Sequence, residues 1–272
     1  KEYVPFTIPV TVLGALLADQ PLDWRLVTVT VANILAVAYA FMINDIEDAP
    51  DDALDPARAA RNPIAMGEVS PRVGWFCAGG VALAAVGLYA SGGVWVLGIG
   101  VLTVMLSHFY SWKPVRLKAF PVADVTSHSL MLSGLLFLAG YFTYGANPGW
   151  VWLVALSATL VSIYGQLYNQ LRDYDMDKAA GLHNTAIIVG ERMTRVLMYA
   201  CVALALLLFL GAFVLGVLPI WLPALGGIVF AVVLLVYRPG KDMRGGQVAD
   251  GSGHFQIQFL IAANATIGIW LA

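Results

Sequence analysis

The stretch Asn44-Asp45-Ile46-Glu47-Asp48-Ala49-Pro50-Asp51-Asp52-Ala53-Leu54-Asp55 puts six carboxylates into twelve residues, directly after the apolar run 26–43. Nothing else in this chain is so costly to place next to lipid. Asn169, Asp173 and Asp177 repeat the Asn-x3-Asp-x3-Asp spacing of Asn44, Asp48 and Asp52, each 125 residues after its counterpart. At helical spacing, i, i+4 and i+8 lie on one face and rise about 6 Å per step, so each stretch presents its oxygens as a column. The chain reads as a device for bringing two such columns together.

The rest of the composition sets where this happens. The chain is 60% hydrophobic and 12% charged, with mean hydropathy +0.78, whereas a soluble domain carries roughly a quarter charged residues. Nine apolar stretches follow one another, at about 3–18, 24–43, 73–90, 94–110, 121–144, 150–168, 196–216, 218–236 and 255–272. Most are near the roughly 20 residues that a helix needs to cross a bilayer. The expected fold is an all-α integral membrane protein: nine transmembrane helices around a central cavity, with a cap on the cytoplasmic side. The chain is expected to form one domain, 1–272, with two pseudo-repeated halves of about 1–120 and 121–272. No Ala-x-Ala-like site follows the first stretch, so no cleavable signal is expected there. Lys1 rather than Met stands first, so further N-terminal sequence is expected.

Lys and Arg accumulate in cytoplasmic loops. Loops after the second, fourth, sixth and eighth stretches hold Arg58, Arg61, Arg72, Lys113, Arg116, Lys118, Arg172, Lys178, Arg192, Arg195, Arg238, Lys241 and Arg244, thirteen of the fifteen. Lys1 falls on the same side and only Arg25 on the other. Both acidic stretches are therefore expected at the cytoplasmic face of a cell membrane. All eight Trp lie near segment ends, as interfacial anchors do. Cys77 and Cys201 fall inside apolar stretches and read as filler. The net charge of -2 gives no reason to expect nucleic acid.

Pro50 should end the second helix near Asp48, because proline removes a backbone bond and clashes with the preceding turn. Asp51, Asp52 and Asp55 would then sit on a turn or short helix folded back over the mouth. Pro5 and Pro9 are expected to kink the first helix. After the fourth stretch comes Tyr110-Ser111-Trp112-Lys113-Pro114-Val115-Arg116-Leu117-Lys118, a basic loop on the acidic side, partly ordinary positive-inside decoration. Asp124 and His128, at i and i+4 near the start of the fifth helix, either serve function or satisfy one hydrogen bond. Gln256, Gln258 and Asn264 in the last stretch either line a cavity or, by default, bond to neighbouring helices.

Clustered carboxylates repel one another and need cations. Hard oxygens favour Mg²⁺, which takes one or two carboxylates and completes its shell with water and phosphate oxygens. Two facing columns would hold one or two Mg²⁺ around a diphosphate, with Arg and Lys on the remaining oxygens. A cavity among apolar helices accepts a long hydrocarbon tail. A polyprenyl diphosphate has both features.

Asn44-Asp45-x-x-Asp48-x-x-x-Asp52 resembles the NDxxDxxxD motif of the UbiA superfamily of intramembrane prenyltransferases, and Asp173-x-x-x-Asp177 resembles its DxxxD motif. Gly181-x-x-Asn184-Thr185-Ala186-Ile187-Ile188-x-Gly190 is similar to its G-x-x-S-T-A-I-L-x-G run, and Asn62-Pro63-Ile64-Ala65-Met66-Gly67 to its RPLPSG run. The resemblance covers essentially the whole chain. It implies Mg²⁺-dependent transfer of an isoprenoid chain, with two Mg²⁺ ions, from a prenyl diphosphate to a hydrophobic or aromatic acceptor. It makes Asn44, Asp48, Asp52, Asp173 and Asp177 ligands of metal and diphosphate, with Lys118, Arg116 and either Arg58 or Arg61 on the diphosphate. Asn169, Tyr110 and Asp124 join them as candidates for binding substrate. Asn62 stands where the family usually has Arg, and His183 where Lys is common.

The Thr185-Ala186-Ile187-Ile188 run leans towards an aromatic acceptor, a hydroxybenzoate or naphthoate on the way to a quinone. The alternative is geranylgeranylglyceryl phosphate on the way to an ether lipid. Asp51-Asp52-Ala53-Leu54-Asp55 is a DDxxD string like that of soluble prenyl diphosphate synthases, but those do not span membranes nine times. The D-G-x-x-A-R pattern of CDP-alcohol phosphotransferases is absent. A cation transporter would use repeated carboxylates near the midplane, not at basic helix mouths.

Overall fold

The computed structural model describes residues 4–179, 181–243 and 248–272, and among them every regular element is helical. Lys1 and Arg244 lie outside the described residues, so their expected placement on the basic side does too. The helices are α1 (Val4–Leu16), α2 (Trp24–Asp52), α3 (Pro56–Ala59), α4 (Pro71–Tyr89), α5 (Val94–Ser111), α6 (Ala123–Ser129), α7 (Leu135–Phe142), α8 (Trp152–Arg172), α9 (Tyr174–Ala179), α10 (Thr185–Val189), α11 (Glu191–Val214), α12 (Leu222–Val236) and α13 (Gly253–Leu271). A π turn, Leu130–Gly134, joins α6 and α7 into one rod. Six of the nine expected spans are long and apolar enough to cross a membrane: α2, α4, α5, the α6–α7 rod, α8 and α11, with short extensions. Val4–Leu16 and Leu222–Val236 are apolar but shorter.

Large apolar side chains cover the outside, with Leu206, Leu207, Val214, Leu235 and Val236 all exposed. Small and polar groups hold the inside together, as packing in lipid requires. Gly14 and Gly140 let α1 and α7 cross backbone to backbone, since a Cβ on Gly140 would run into the Thr11 carbonyl and one on Gly14 into that of Phe137. Asn33, fully buried, ties four helices: its amide donates to Thr11 Oγ1 (2.7 Å) and to the Leu136 carbonyl (3.1 Å), and its Oδ1 accepts from Tyr89 OH (2.5 Å). No sequence pattern singled it out.

Helix α2 does not stop near Asp48. It runs through Pro50 to Asp52. The proline forfeits one bond, to the Ile46 carbonyl, and the next turn closes normally, with the Ala53 N–H donating to the Ala49 carbonyl at 3.0 Å. Asp51 and Asp52 are therefore helical and only Asp55 lies on the following turn. At 29 residues α2 is about 43 Å long, well beyond an apolar slab of about 30 Å. Its acidic end projects past the lipid. Pro9 likewise sits inside an uninterrupted α1.

Candidate active site

Because α2 is continuous, Asn44, Asp48 and Asp52 lie on one face as a true column. The basic loop closes against it. Lys118 Nζ donates to Asn44 Oδ1 (3.0 Å) and Asp48 Oδ2 (2.5 Å), and Ser111 Oγ, at the end of α5, donates to Asn44 Oδ1 (3.1 Å). Arg116 adopts a left-handed backbone (φ 46°) and places Nη2 between Asp48 Oδ1 (3.5 Å) and Asp51 Oδ2 (3.4 Å). Burial pushes the Lys118 ammonium below the ordinary lysine range, and the adjacent Asp48 pulls it back only in part.

The second column is built differently. Helix α8 ends at Arg172, Asp173 caps it, and α9 restarts at Tyr174. The Asp177 N–H still donates to the Asp173 carbonyl (2.9 Å), so the two carboxylates keep a one-turn spacing. Arg172 forks onto Asp173 with two bonds of 2.9 Å, and its Nη1 lies 3.4 Å from buried Asp242. Burial pushes the Asp177 carboxyl up, the Asp173 charge adds to this, and Arg58 opposes it.

Arg58 joins the two stretches. Its Nε lies 3.9 Å from Asp55 Oδ2, and its Nη2 lies 3.9 Å from Asp177 Oδ1. Two acidic segments from opposite halves of the chain thus share one end of the bundle and one guanidinium. Of Arg58 and Arg61, the choice left open in the sequence, Arg58 lies beside both stretches and Arg61 is exposed.

Asp124 sits elsewhere than expected of a group that binds substrate. It is fully buried. Its Oδ2 accepts from Gln170 Nε2 (2.7 Å) and the Thr185 N–H (2.7 Å), and its Oδ1 from Thr185 Oγ1 (2.5 Å) and the Val125 N–H (2.7 Å). With its acceptor sites filled by α8 and the start of α10, it is a strut that fixes the loop after α9. Asn169 is half-buried, and its carbonyl accepts the Asp173 N–H at 3.0 Å. Tyr110 takes a hydrogen bond from Gln166 Nε2 (3.1 Å) and packs its ring 5.7 Å from His128. His183 is exposed.

Among the described residues no three His, Cys, Asp or Glu close into a ready metal cage. That donor set fits Mg²⁺ nonetheless: each column offers two carboxylates one turn apart, and Mg²⁺ takes one or two from protein and the remainder from water and phosphate. Side-chain cations lie against these carboxylates, Lys118 and Arg116 on the first column, Arg58 and Arg172 on the second.

Three residues at the site had no role in the sequence reading beyond their place in a motif or loop: Asn62, Asn184 and Asp242. Asn62 and Asn184 lie inside the two short runs that follow the columns, which was the available signal. Asp242 sits in the α12–α13 loop with nothing in its neighbours to mark it.

A model described as the UbiA prenyltransferase family matches residues 7–249. A digeranylgeranylglyceryl phosphate synthase of Natronomonas pharaonis is 25% identical over 256 residues, 87% of this chain and 82% of that protein. A 1,4-dihydroxy-2-naphthoate octaprenyltransferase of Bacillus subtilis is 25% identical over 158 residues, 57% of this chain and 48% of that protein. The solved structure of a UbiA homolog from Archaeoglobus fulgidus bound to GPP and Mg²⁺ superposes with a TM-score of 0.75 at 21% identity, covering 98% of this chain and 93% of that one.

Proposed function

This chain belongs to the UbiA prenyltransferase family, and from that premise we propose that it transfers a prenyl chain from a polyprenyl diphosphate to a lipid acceptor at the mouth shared by its two acidic columns, using Mg²⁺. Membership makes it a prenyltransferase and a multi-pass membrane protein. In the proposed architecture α1, α12 and α13 complete the six long spans to nine. They form one domain of two halves around a cavity, with the loops after α2 and α8 as a cytoplasmic cap.

Asp48 and Asp52 from the first column, Asp173 and Asp177 from the second, and Asn44 as a neutral oxygen donor would hold two Mg²⁺. When bound, the metal would neutralise diphosphate oxygens as the allylic C–O bond breaks. The chain's own groups do the rest. Lys118 and Arg116 supply N–H donors already gathered at the column, so little reorganisation is needed when a diphosphate arrives. Arg58, between the stretches, is placed where negative charge grows on the departing group. Tyr110, next to the Ser111 that holds Asn44, is assigned to the donor's allylic end. Arg61 and Asn169 line the approach, and Asp124 keeps the second column's loop in place.

The observation that supports this proposal is Arg58, 3.9 Å from Asp55 just past the first column and 3.9 Å from Asp177 in the second. A lipid acceptor, geranylgeranylglyceryl phosphate, now precedes the aromatic one, since the relative matched over 82% of its length is a digeranylgeranylglyceryl phosphate synthase. The naphthoate octaprenyltransferase relative carries the aromatic acceptor as the second reading. Purified protein, one radiolabelled prenyl diphosphate and a panel of both acceptor classes, with and without Mg²⁺, test this. Labelled ether lipid is the expected product, formed only with Mg²⁺. Labelled aromatic product alone would transfer the assignment to the second class, and ion flux without prenyl transfer would end the proposal.

A further inference from the structure

In each half, the last carboxylate of the column is gripped by an asparagine that follows it in the chain. Asn62, 2% exposed, donates from Nδ2 to Asp52 Oδ2 (2.9 Å) and to the Asp45 carbonyl (2.8 Å), while its Oδ1 accepts from the Ile64 and Ala65 N–H groups (3.0 and 3.2 Å). Asn184, 5% exposed, donates from Nδ2 to Asp177 Oδ2 (2.9 Å), while its Oδ1 accepts from the Ile187 N–H (3.0 Å). The arrangement is the same twice: the carbonyl end caps the next turn and the amide end holds the carboxylate. An amide whose oxygen is committed to backbone N–H groups is not free to rotate, so its N–H₂ has one direction.

This matters for a metal ligand. A carboxylate with one oxygen anchored offers the other in a fixed orientation, and groups that anchor ligands in this way commonly tune metal affinity. The amide is also neutral. Unlike Lys118 or Arg172, it directs the carboxylate without competing for its charge. We propose that Asn62 and Asn184 are paired positioning residues that hold the Asp52 and Asp177 carboxylates in the orientations that receive Mg²⁺, each half of the chain using the same capped-asparagine device.

The inference rests on the prenyl-transfer proposal, and its test separates the two. Asn184→Ser keeps a capping oxygen and removes the donor to Asp177. Asn62→Ser likewise keeps a capping oxygen and removes the donor to Asp52. Binding of Mn²⁺ with inorganic pyrophosphate, followed by electron paramagnetic resonance on full-length protein in detergent, reads the site without turnover. Each variant is expected to bind Mn²⁺ about tenfold to a hundredfold more weakly. The Mg²⁺ concentration for half-maximal transfer should rise in step, with kcat at saturating Mg²⁺ and the thermal midpoint near wild type. Wild-type Mn²⁺ affinity in both variants, whatever their thermal midpoint, would reduce the asparagines to turn caps and overturn this inference alone. Wild-type protein that binds no Mn²⁺ with pyrophosphate would overturn the prenyl-transfer proposal and this one with it.

Discussion

Asp48 accepts from Lys118 on one oxygen and faces Arg116 with the other. An amide in its place keeps the size and the helix but loses the charge that both cations and Mg²⁺ need. Asp48→Asn, and equally Asp173→Asn, should therefore lower prenyl transfer by about a hundredfold or more. The thermal midpoint should stay close to wild type, and a variant that retained full transfer would remove that residue from the site. The columns were legible in the sequence because the contact they make is local: a 3.6-residue repeat puts Asn44, Asp48 and Asp52 on one face whatever the rest of the chain does. Asn33, Asn62 and Asp242 were not legible as contacts. Leu136 for Asn33, Asp52 for Asn62 and Arg172 for Asp242 lie from 10 to 103 residues away, and an isolated polar residue in sequence carries no sign of which distant atom will satisfy it.

Helices α1 and α7 meet at Gly14 and Gly140 with no side chain between them. A methyl group at position 140 must push the α1 backbone away, because the atom in its path is the Thr11 carbonyl and not a side chain that can turn. Gly140→Ala should cost about 1–3 kcal/mol, the usual range for overpacking, whereas Gly79→Ala, with nothing within 4 Å, should be neutral or slightly stabilising. Thermal unfolding of the two variants in the same detergent decides it, and equal midpoints would mean that the α1 backbone gives way to a methyl group at no cost. Helix positions were easy to place from hydropathy, since lipid demands long apolar runs. Helix ends were harder. Pro50 reads as a terminator by local rule, but only a single bond is at stake there, and the closed turn at Ala53 outweighs it.

At the scale of the whole molecule, the two halves are joined at the mouth through Arg58, and that link is weak as a bond. At 3.9 Å, on a side chain 36% exposed, each ion pair contributes at most about 1 kcal/mol. Arg58→Gln should thus cost no more than about 1–2 kcal/mol of stability. It should raise the KM for the prenyl diphosphate several-fold, since a diphosphate caught between the columns loses a charged donor. An unchanged KM would show that Arg58 only bridges the two acidic stretches.

The sidedness we propose rests on the same geometry. Arg58, Arg116, Lys118 and Arg172 all contact the acidic stretches, so both stretches share an end with basic residues, and by the positive-inside rule we propose that this end faces the cytoplasm. Pyrophosphate, which does not cross a bilayer, should then inhibit transfer in inverted membrane vesicles and leave sealed right-side-out vesicles unaffected until they are permeabilised. Inhibition from outside in right-side-out vesicles would place both columns on the opposite face. It would also mean that the basic loops are gathered there for the diphosphate and not by the rule that orients most membrane proteins. Permeabilised vesicles of both kinds should give the same inhibition curve, which separates access from affinity.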